Sequence, residues 1–303
     1  MSDTSAPPRR DVADTHGMPL PYPDPRVALA TLHGKADALA PALEALGLKV
    51  ETVAIDTDAL GTFAGDIERP GTAHEVVIEK ARRGMAISGL KLGIATEGSF
   101  GPDPLLGFLP LHTELLAFVD DEHGQTIVVE HAGHDTNWVS KAVRPGDDLQ
   151  PLLASIGLPT HAALVKPNRW TTRLDEPLPV AKGLIDPAAV TEATERMAAR
   201  SEDGLARIEA DMRAHRNPTR LAAIGRLGHQ LAQRLATPCP CCGAPGFGRV
   251  DARLGLPCEL CGEATDLVRA EIHGCGVCGH REDRPRADGL SAADAGHCPE
   301  CNP

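Results

Sequence analysis

Nine cysteines lie in the last fifth of the 303-residue chain. Eight of them form four C-x-x-C knuckles: Cys239 with Cys242, Cys258 with Cys261, Cys275 with Cys278, and Cys298 with Cys301. Cys241 is left over as a bystander. A C-x-x-C turn lets two thiolates face one ion, and a structural Zn²⁺ takes four thiolates in a tetrahedron at about 2.3 Å. Eight thiolates therefore suffice for two ions. Successive knuckles are separated by 15, 13 and 19 residues. Chain order favours pairing the first with the second and the third with the fourth. Interleaved pairing, first with third and second with fourth, fits the same spacings. Gly243, Gly262 and Gly279 follow three of the knuckles and suit the left-handed geometry of a tight turn. A closed four-thiolate site keeps no open position for chemistry. Both ions are thus expected to be structural, supplying the folding energy of a fragment with little apolar core.

Three stretches nearer the N-terminus could do chemistry. Thr31-Leu-His33-Gly34-Lys35 lies between an apolar strand and a helix. A hydroxyl, a glycine, a lysine and free helical N–H groups suit a phosphate; a capped helix start with a solvated lysine is the competing reading. Glu75 and Glu79 sit four apart on one helix face, with Lys80 beside them. Hard carboxylates suit Mg²⁺, although ordinary surface ion pairs would use the same residues. Thr96-Glu97-Gly98-Ser99 is placed at the carboxyl end of a strand, where open α/β sheets bind their ligands. Arg213, His215, Arg216 and Arg220 form a basic cluster around a helix break, read as a solvated junction or as a contact for phosphate. His33, His74, His112, His123, His131 and His134 are scattered without the spacing of a helical metal site.

These residues need a frame. Residues 1–25 read as a Pro-rich, flexible leader. An α/β sheet domain is expected over 26–180. Its strands are Arg26–Thr31, Lys49–Ile55, Leu92–Thr96 and His161–Val165. Its helices are Ala36–Leu48, Ala73–Ser88 and Asp147–Ile156. A hairpin of Leu115–Asp120 and Gln125–Glu130 turns at Asp121–Gly124. Asp56–Gly65 reads as a polar loop. Residues 187–236 read as a helical connector of two helices meeting at Asn217-Pro218, an N-cap followed by a proline at the first helical position. Residues 237–303 form a double zinc-ribbon-like module.

Bulk properties narrow the function classes. The chain is 42% apolar, 24% charged and only 3% aromatic, with a formal net charge of −12. Each thiolate-held zinc adds two further negative charges. Phosphate neutralisation by Lys and Arg drives non-specific nucleic-acid affinity, so nucleic acid is a poor partner. No apolar run reaches the roughly 18 residues of a membrane span, and the leader has no signal-peptide core. A cytoplasmic location is expected, where paired thiols favour metal over disulfides.

Strand, Lys-bearing turn, helix, T-x-x-E-x-x-x-x-K-A-R and an apolar strand with an acid and a glycine resemble the inosine/xanthosine triphosphate pyrophosphatase superfamily. Thr72, Glu75, Lys80 and Ala81 echo that superfamily's helix motif, and Glu97-Gly98-Ser99 echoes its strand motif. The first motif is one residue short between Thr31 and Lys35, and Val76 stands where the superfamily has Asn. The resemblance implies Mg²⁺ at Glu75 and Glu97, and phosphate at Thr31, Lys35 and Lys80. Glu97 and Lys35 would be the catalytic residues. Over residues 26–303 the chain resembles a bacterial family known only as a domain of unknown function with C-terminal zinc ribbons. Ala30–Lys35, Asp56–Gly65, Gly93–Gly101, Asp211–Arg220 and Pro245–Asp251 carry that likeness. Two functions are therefore expected in competition. One is Mg²⁺-dependent hydrolysis of a nucleotide or another phosphorylated small molecule. The other is a non-catalytic zinc-ribbon protein that binds a ligand or a protein partner.

Overall fold

Val27, Ala28, Leu29 and Ala30 are all buried, so strand β1 (Arg26–Ala30) is covered on both faces. That is the signature of a central parallel strand between helical layers. Helix α1 (Ala36–Glu44) follows it, then β2 (Lys49–Val53), helix α2 (Ala73–Ser88), β3 (Leu92–Pro102), β4 (Pro110–Asp120) and β5 (Gln125–Gly133). The strands stand in the order β2-β1-β3-β4-β5. β1 pairs in parallel with β2 and β3, and β3 pairs antiparallel with β4. The computed structural model describes residues 20–32, 34–55, 70–171 and 177–303. The leader up to residue 19, His33 and the Asp56–Gly65 loop lie outside the described residues.

Local signals explain the helix that matters most. Thr72 caps α2: its Oγ1 accepts from the Glu75 N–H at 3.2 Å, and Glu75 Oε2 accepts from the Thr72 N–H at 2.8 Å. This reciprocal box satisfies two donors that a helix start leaves unpaired. Gly89 ends the helix with φ 72°. Val77, Ala81 and Met85 then pack on Ala28, Ala30, Ala95, Leu115, Ala117 and Val119 of the sheet.

A second sheet takes residues that the periodicity assigns to helices. β6 (Ser140–Val143), α3 (Gln150–Ile156), β7 (Ala163–Pro167), β8 (Ala181–Leu184), α4 (Pro187–Ala198) and β9 (Ala206–Ala210) precede helix α5 (Pro218–Leu235). The strand order is β6-β9-β7-β8, all antiparallel. The helical reading of 205–212 is therefore corrected: Ala206, Ile208 and Ala210 are buried while Arg207 and Glu209 are half-buried. That alternation has the period of a strand, and β6 and β7 supply the partners. Among the described residues no second α-helix meets α5 at Asn217, but the expected helix start is present: Arg220 N–H donates to Asn217 Oδ1 at 3.0 Å, and Pro218 is the first helical residue.

The chain divides into two compact units. One comprises Pro23–Asp120 with Val128–Leu231 and holds both sheets described so far, apart from the start of β5. In it, α5 passes close to α1 at Gly228, where a Cβ would meet Leu39 Cδ2 at 3.2 Å. Of the described residues, the other comprises 20–22, Asp121–Ile127 and Ala232–Pro303. It carries β10 (Gly248–Leu254), β11 (Val268–Gly274) and β12 (Arg281–Pro285) as an antiparallel ribbon. Within this unit, Gln125 Nε2 donates to the Pro245 carbonyl at 3.1 Å. No helix of the described residues is long and apolar enough to cross a membrane.

Candidate functional site

The four knuckles close into two tetrads, and the pairing is interleaved. Cys239, Cys242, Cys275 and Cys278 form one group; Cys258, Cys261, Cys298 and Cys301 form the other. Chain order misled here because the ribbon folds back between knuckles. β10 follows the first knuckle and β11 precedes the third, and the register sets Gly248 opposite Gly274. That pairing brings knuckles one and three together. Contacts between sulfurs run 3.7 Å for Cys239–Cys278 and for Cys242–Cys275, 3.9 Å for Cys258–Cys301 and 3.5 Å for Cys261–Cys298. A tetrahedron with metal–sulfur bonds of about 2.3 Å has edges of about 3.8 Å, so the thiol sets match the geometry of such an ion.

Three knuckles repeat one backbone. Gly243, Gly262 and Gly279 have φ of 77°, 78° and 73°. Each donates its N–H to the carbonyl of the knuckle's first cysteine, at 2.9, 2.9 and 3.1 Å. The N–H groups of Cys241, Leu260 and Val277 point at the first sulfurs from 3.4 Å. In the fourth knuckle Asn302 makes the equivalent carbonyl bond to Cys298 at 2.9 Å. Cys241 is exposed and belongs to neither tetrad. Among the described residues, no other group of three or more His, Cys, Asp or Glu side chains converges in this way.

The second candidate site lies past the carboxyl end of β1 and beside the middle of β3, at Thr96 and Glu97. β2 and β3 flank β1 on opposite sides, so the chain leaves β1 one way through α1 and arrives at β3 through α2. Open α/β sheets place their ligands at such a topological switch. Lys35 Nζ, just before α1, donates to Thr96 Oγ1 at 2.8 Å. Lys80 Nζ of α2 donates to Glu97 Oε2 at 2.6 Å. Both pairs are buried. Thr96 and Glu97 are neighbours on β3 and therefore point to opposite faces, so the two lysines approach the strand from its two sides. Thr31 is buried just past the end of β1, its N–H donating to the Val53 carbonyl at 3.1 Å.

Two sequence expectations are corrected at this site. Glu97-Gly98-Ser99 is not a strand end: β3 continues to Pro102, because β4 pairs with it without a break from Leu92 to Pro102. Arg220 is not a solvated junction residue. It is 2% exposed and grips Glu114, itself fully buried, through Nε–Oε2 at 2.8 Å and Nη2–Oε1 at 2.9 Å. His112 Nε2 lies 3.0 Å from Glu114 Oε2. Glu75, by contrast, is exposed at the start of α2 with Oε2 held by the Thr72 N–H and hydroxyl, each at 2.8 Å. Glu79 pairs with Arg83 at 2.7 Å.

The electrostatics follow from burial. Desolvation, then the nearby charge of Arg220, pull the Lys35 amine down to about 7, with Lys80 adding to the fall and Glu114 and Glu97 opposing it. Burial alone would raise the Glu114 carboxyl. The charge of Arg220, with hydrogen bonds from His112 and Arg220 and the charge of Lys35, outweighs burial and holds it well below the usual carboxylate range. Glu114, His112 and Arg220 escape a motif search, but they leave traces. His112 and Glu114 are two polar residues on the same face of an otherwise apolar strand. Arg220 falls on the buried stripe of α5 with Ile224, Leu227 and Leu231. A charge in an apolar stripe implies a buried partner.

No curated protein matches the chain. A family described as Domain of unknown function (DUF6671) matches residues 80–303. Lys80, Glu97, Glu114, Arg220 and both tetrads lie inside that match; Thr31, Lys35 and Glu75 precede it. Among solved structures, a crystal structure of a nucleoside-triphosphatase / dITP/XTP pyrophosphatase from Mycobacterium abscessus is similar at 18% identity. The likeness covers 35% of this chain and 70% of that chain with a TM-score of 0.26. At that score it carries no argument.

Proposed function

The chain belongs to the DUF6671 family, and we propose that it is a two-zinc protein whose site beside β1 and β3 takes a phosphorylated small molecule, a nucleotide or phosphate ester, and hydrolyses it with Mg²⁺. One observation carries the reading. On one face of β3, Lys35 is buried on the same side as the Arg220–Glu114 pair, and on the other face Lys80 pairs with Glu97, so three buried basic side chains stand against two carboxylates. A desolvated cluster weighted toward cations suits an anion, and its place at the topological switch suits a ligand. Lys35, Lys80 and Thr31 would bind phosphate oxygens, and the proton of the attacking water would pass to Glu97. Glu75 and Glu97 supply the hard oxygen donors that Mg²⁺ takes; when bound, that ion polarises the phosphoryl group and neutralises the leaving group. The zinc ions belong to architecture, because eight thiolates close both coordination shells.

The test is release of pyrophosphate and phosphate from a panel of nucleoside triphosphates, inosine and xanthosine triphosphate included, with Mg²⁺. Turnover that falls at least a hundredfold in Glu97→Gln and in Lys35→Met supports hydrolysis. No turnover with any member of the panel, or turnover unaltered in Glu97→Gln, sinks it.

A non-catalytic reading is favoured by a separate observation: the carboxylates are committed. Glu97 is held by Lys80, Glu114 by Arg220, and Glu75 by its own helix cap. On that reading the site binds its anion without turnover, and the zinc ribbon serves a protein partner. Pyrophosphate that raises the melting temperature of the wild-type protein but not of Lys35→Met, without hydrolysis, would select it.

A further inference from the structure

An ion pair lies across β3 on the face opposite Glu97. β3 and β4 set Gly98 against Glu114 and Phe100 against His112. Residues directly opposed across an antiparallel pair share a face, so Thr96, Gly98, Phe100, His112 and Glu114 form one surface. Arg220 reaches that surface from the first turn of α5. Besides its fork on Glu114, its Nη1 donates to the Met212 carbonyl at 2.7 Å, and its guanidinium lies 5.4 Å above the Phe100 ring. His112 stacks on the other side of the assembly, 4.4 Å from Phe100, while bonding Glu114.

Gly98 makes room for this pair. A Cβ there would stand 2.6 Å from Glu114 Oε2 and 2.7 Å from Arg220 Nη2. Its φ is not positive, so the glycine is needed for space and not for backbone freedom. Two residues back on the same face, Thr96 receives the Lys35 amine. The charged groups that act on Lys35 are Arg220 from α5, Glu114 from β4, Lys80 from α2 and Glu97 from β3.

We propose that Glu114 and Arg220 are positioning residues for Lys35, a paired charge laid over Gly98 that holds the amine on Thr96. The pair presents opposite charges to Lys35 at close range, so each member offsets the other. Removing one should disturb the lysine in one direction, and removing the other should disturb it in the reverse direction. A purely mechanical brace between α5 and β4 would give no such opposition. The inference rests on Lys35 as the ligand's cation, but its first test uses no ligand, so the two can fail separately.

The zinc-loaded, full-length protein carries seven lysines, few enough to follow each one by carbon-13 NMR of labelled side chains. Lys35 is assigned from Lys35→Arg. Arg220→Gln is expected to raise the Lys35 titration midpoint by about one pH unit, a tenfold change in proton affinity. Glu114→Gln is expected to lower it, and the double variant to return it near the wild-type midpoint. Shifts of the same sign in the two single variants, or no shift in either, overturn the proposal. Gly98→Ala keeps every charge and serves where a single charge variant does not fold. It should displace the Lys35 midpoint and weaken inorganic pyrophosphate binding about tenfold. An unmoved midpoint in folded Gly98→Ala overturns the proposal. If wild-type protein binds no pyrophosphate while the opposed midpoint shifts appear, the functional reading fails and the positioning role stands.

Discussion

The proposed function turns on Lys35, and burial gives that residue a measurable signature. The folded amine loses its proton near 7, whereas an unfolded lysine keeps it to about 10.4. Between those values the unfolded chain binds more protons, so this group makes stability rise with pH, and below 7 its contribution is level. Urea unfolding of the first unit at pH 7 and pH 9.5 should show the wild type gaining on Lys35→Met by about 1 kcal/mol per pH unit. Parallel stabilities across that range would mean that the amine is solvated. Glu114 also makes stability rise with pH, but in the acid range. Its depressed titration supplies stability that is present above the usual carboxylate range and is lost as pH falls through the folded value. At this scale Lys35, Lys80 and Glu97 stood out by residue type and spacing, and the structure pairs Lys35 with Thr96 and Lys80 with Glu97. Glu114 did not stand out, because a carboxylate inside the strand Leu111–Phe118 declares its role only when the partner on a helix over a hundred residues away is known.

At the scale of elements, helix α2 links sequence to site most directly. Its register carries Lys80 to Glu97, and its cap engages Glu75. Thr72→Ala should lower stability by about 1 kcal/mol in denaturant unfolding; an unchanged midpoint would show that the capping box is not formed. T-x-x-E ahead of an apolar run is a capping-box pattern, which the reading of Glu75 as a Mg²⁺ ligand passed over. β9 was not legible. Leu205, Ile208 and Met212 are spaced three and four apart, which imitates a helix face, while Ala206, Ile208 and Ala210 alternate as in a strand. Both periods are present in five to eight residues, and the choice fell to hydrogen bonding. Ile208 is paired with Lys141 on one side and Val165 on the other. The same limit explains β3, whose extension past Thr96 depends on β4.

At the scale of the whole molecule, the two tetrads are the firmest structural feature, and their pairing is testable by counting ions. Native mass spectrometry should find two zinc ions per wild-type chain. Cys239→Ser, Cys278→Ser and the two combined should each leave one ion, since both residues serve the same tetrad. Cys239→Ser combined with Cys258→Ser should leave none. Loss of both ions from the Cys239/Cys278 double variant would contradict the interleaved arrangement. The ribbon unit buries few apolar side chains around Cys239, Ala244, Phe247 and Cys275. Loss of metal should therefore unfold it while leaving the sheets of the other unit.

By itself the sequence determined what local chemistry decides: eight thiolates in four C-x-x-C turns, the span of α2, an Asn-Pro start for α5, and a lysine after the first strand. Each follows from residues within a few positions of one another, where spacing alone sets geometry. Only the tertiary structure decided which knuckles share an ion, that β3 runs on past Glu97, and that Arg220 and Glu114 close over Gly98. Those outcomes depend on contacts between residues 8 to 106 positions apart. Their free energy comes from desolvation and from pairing across strands, and neither is written in the spacing of neighbours.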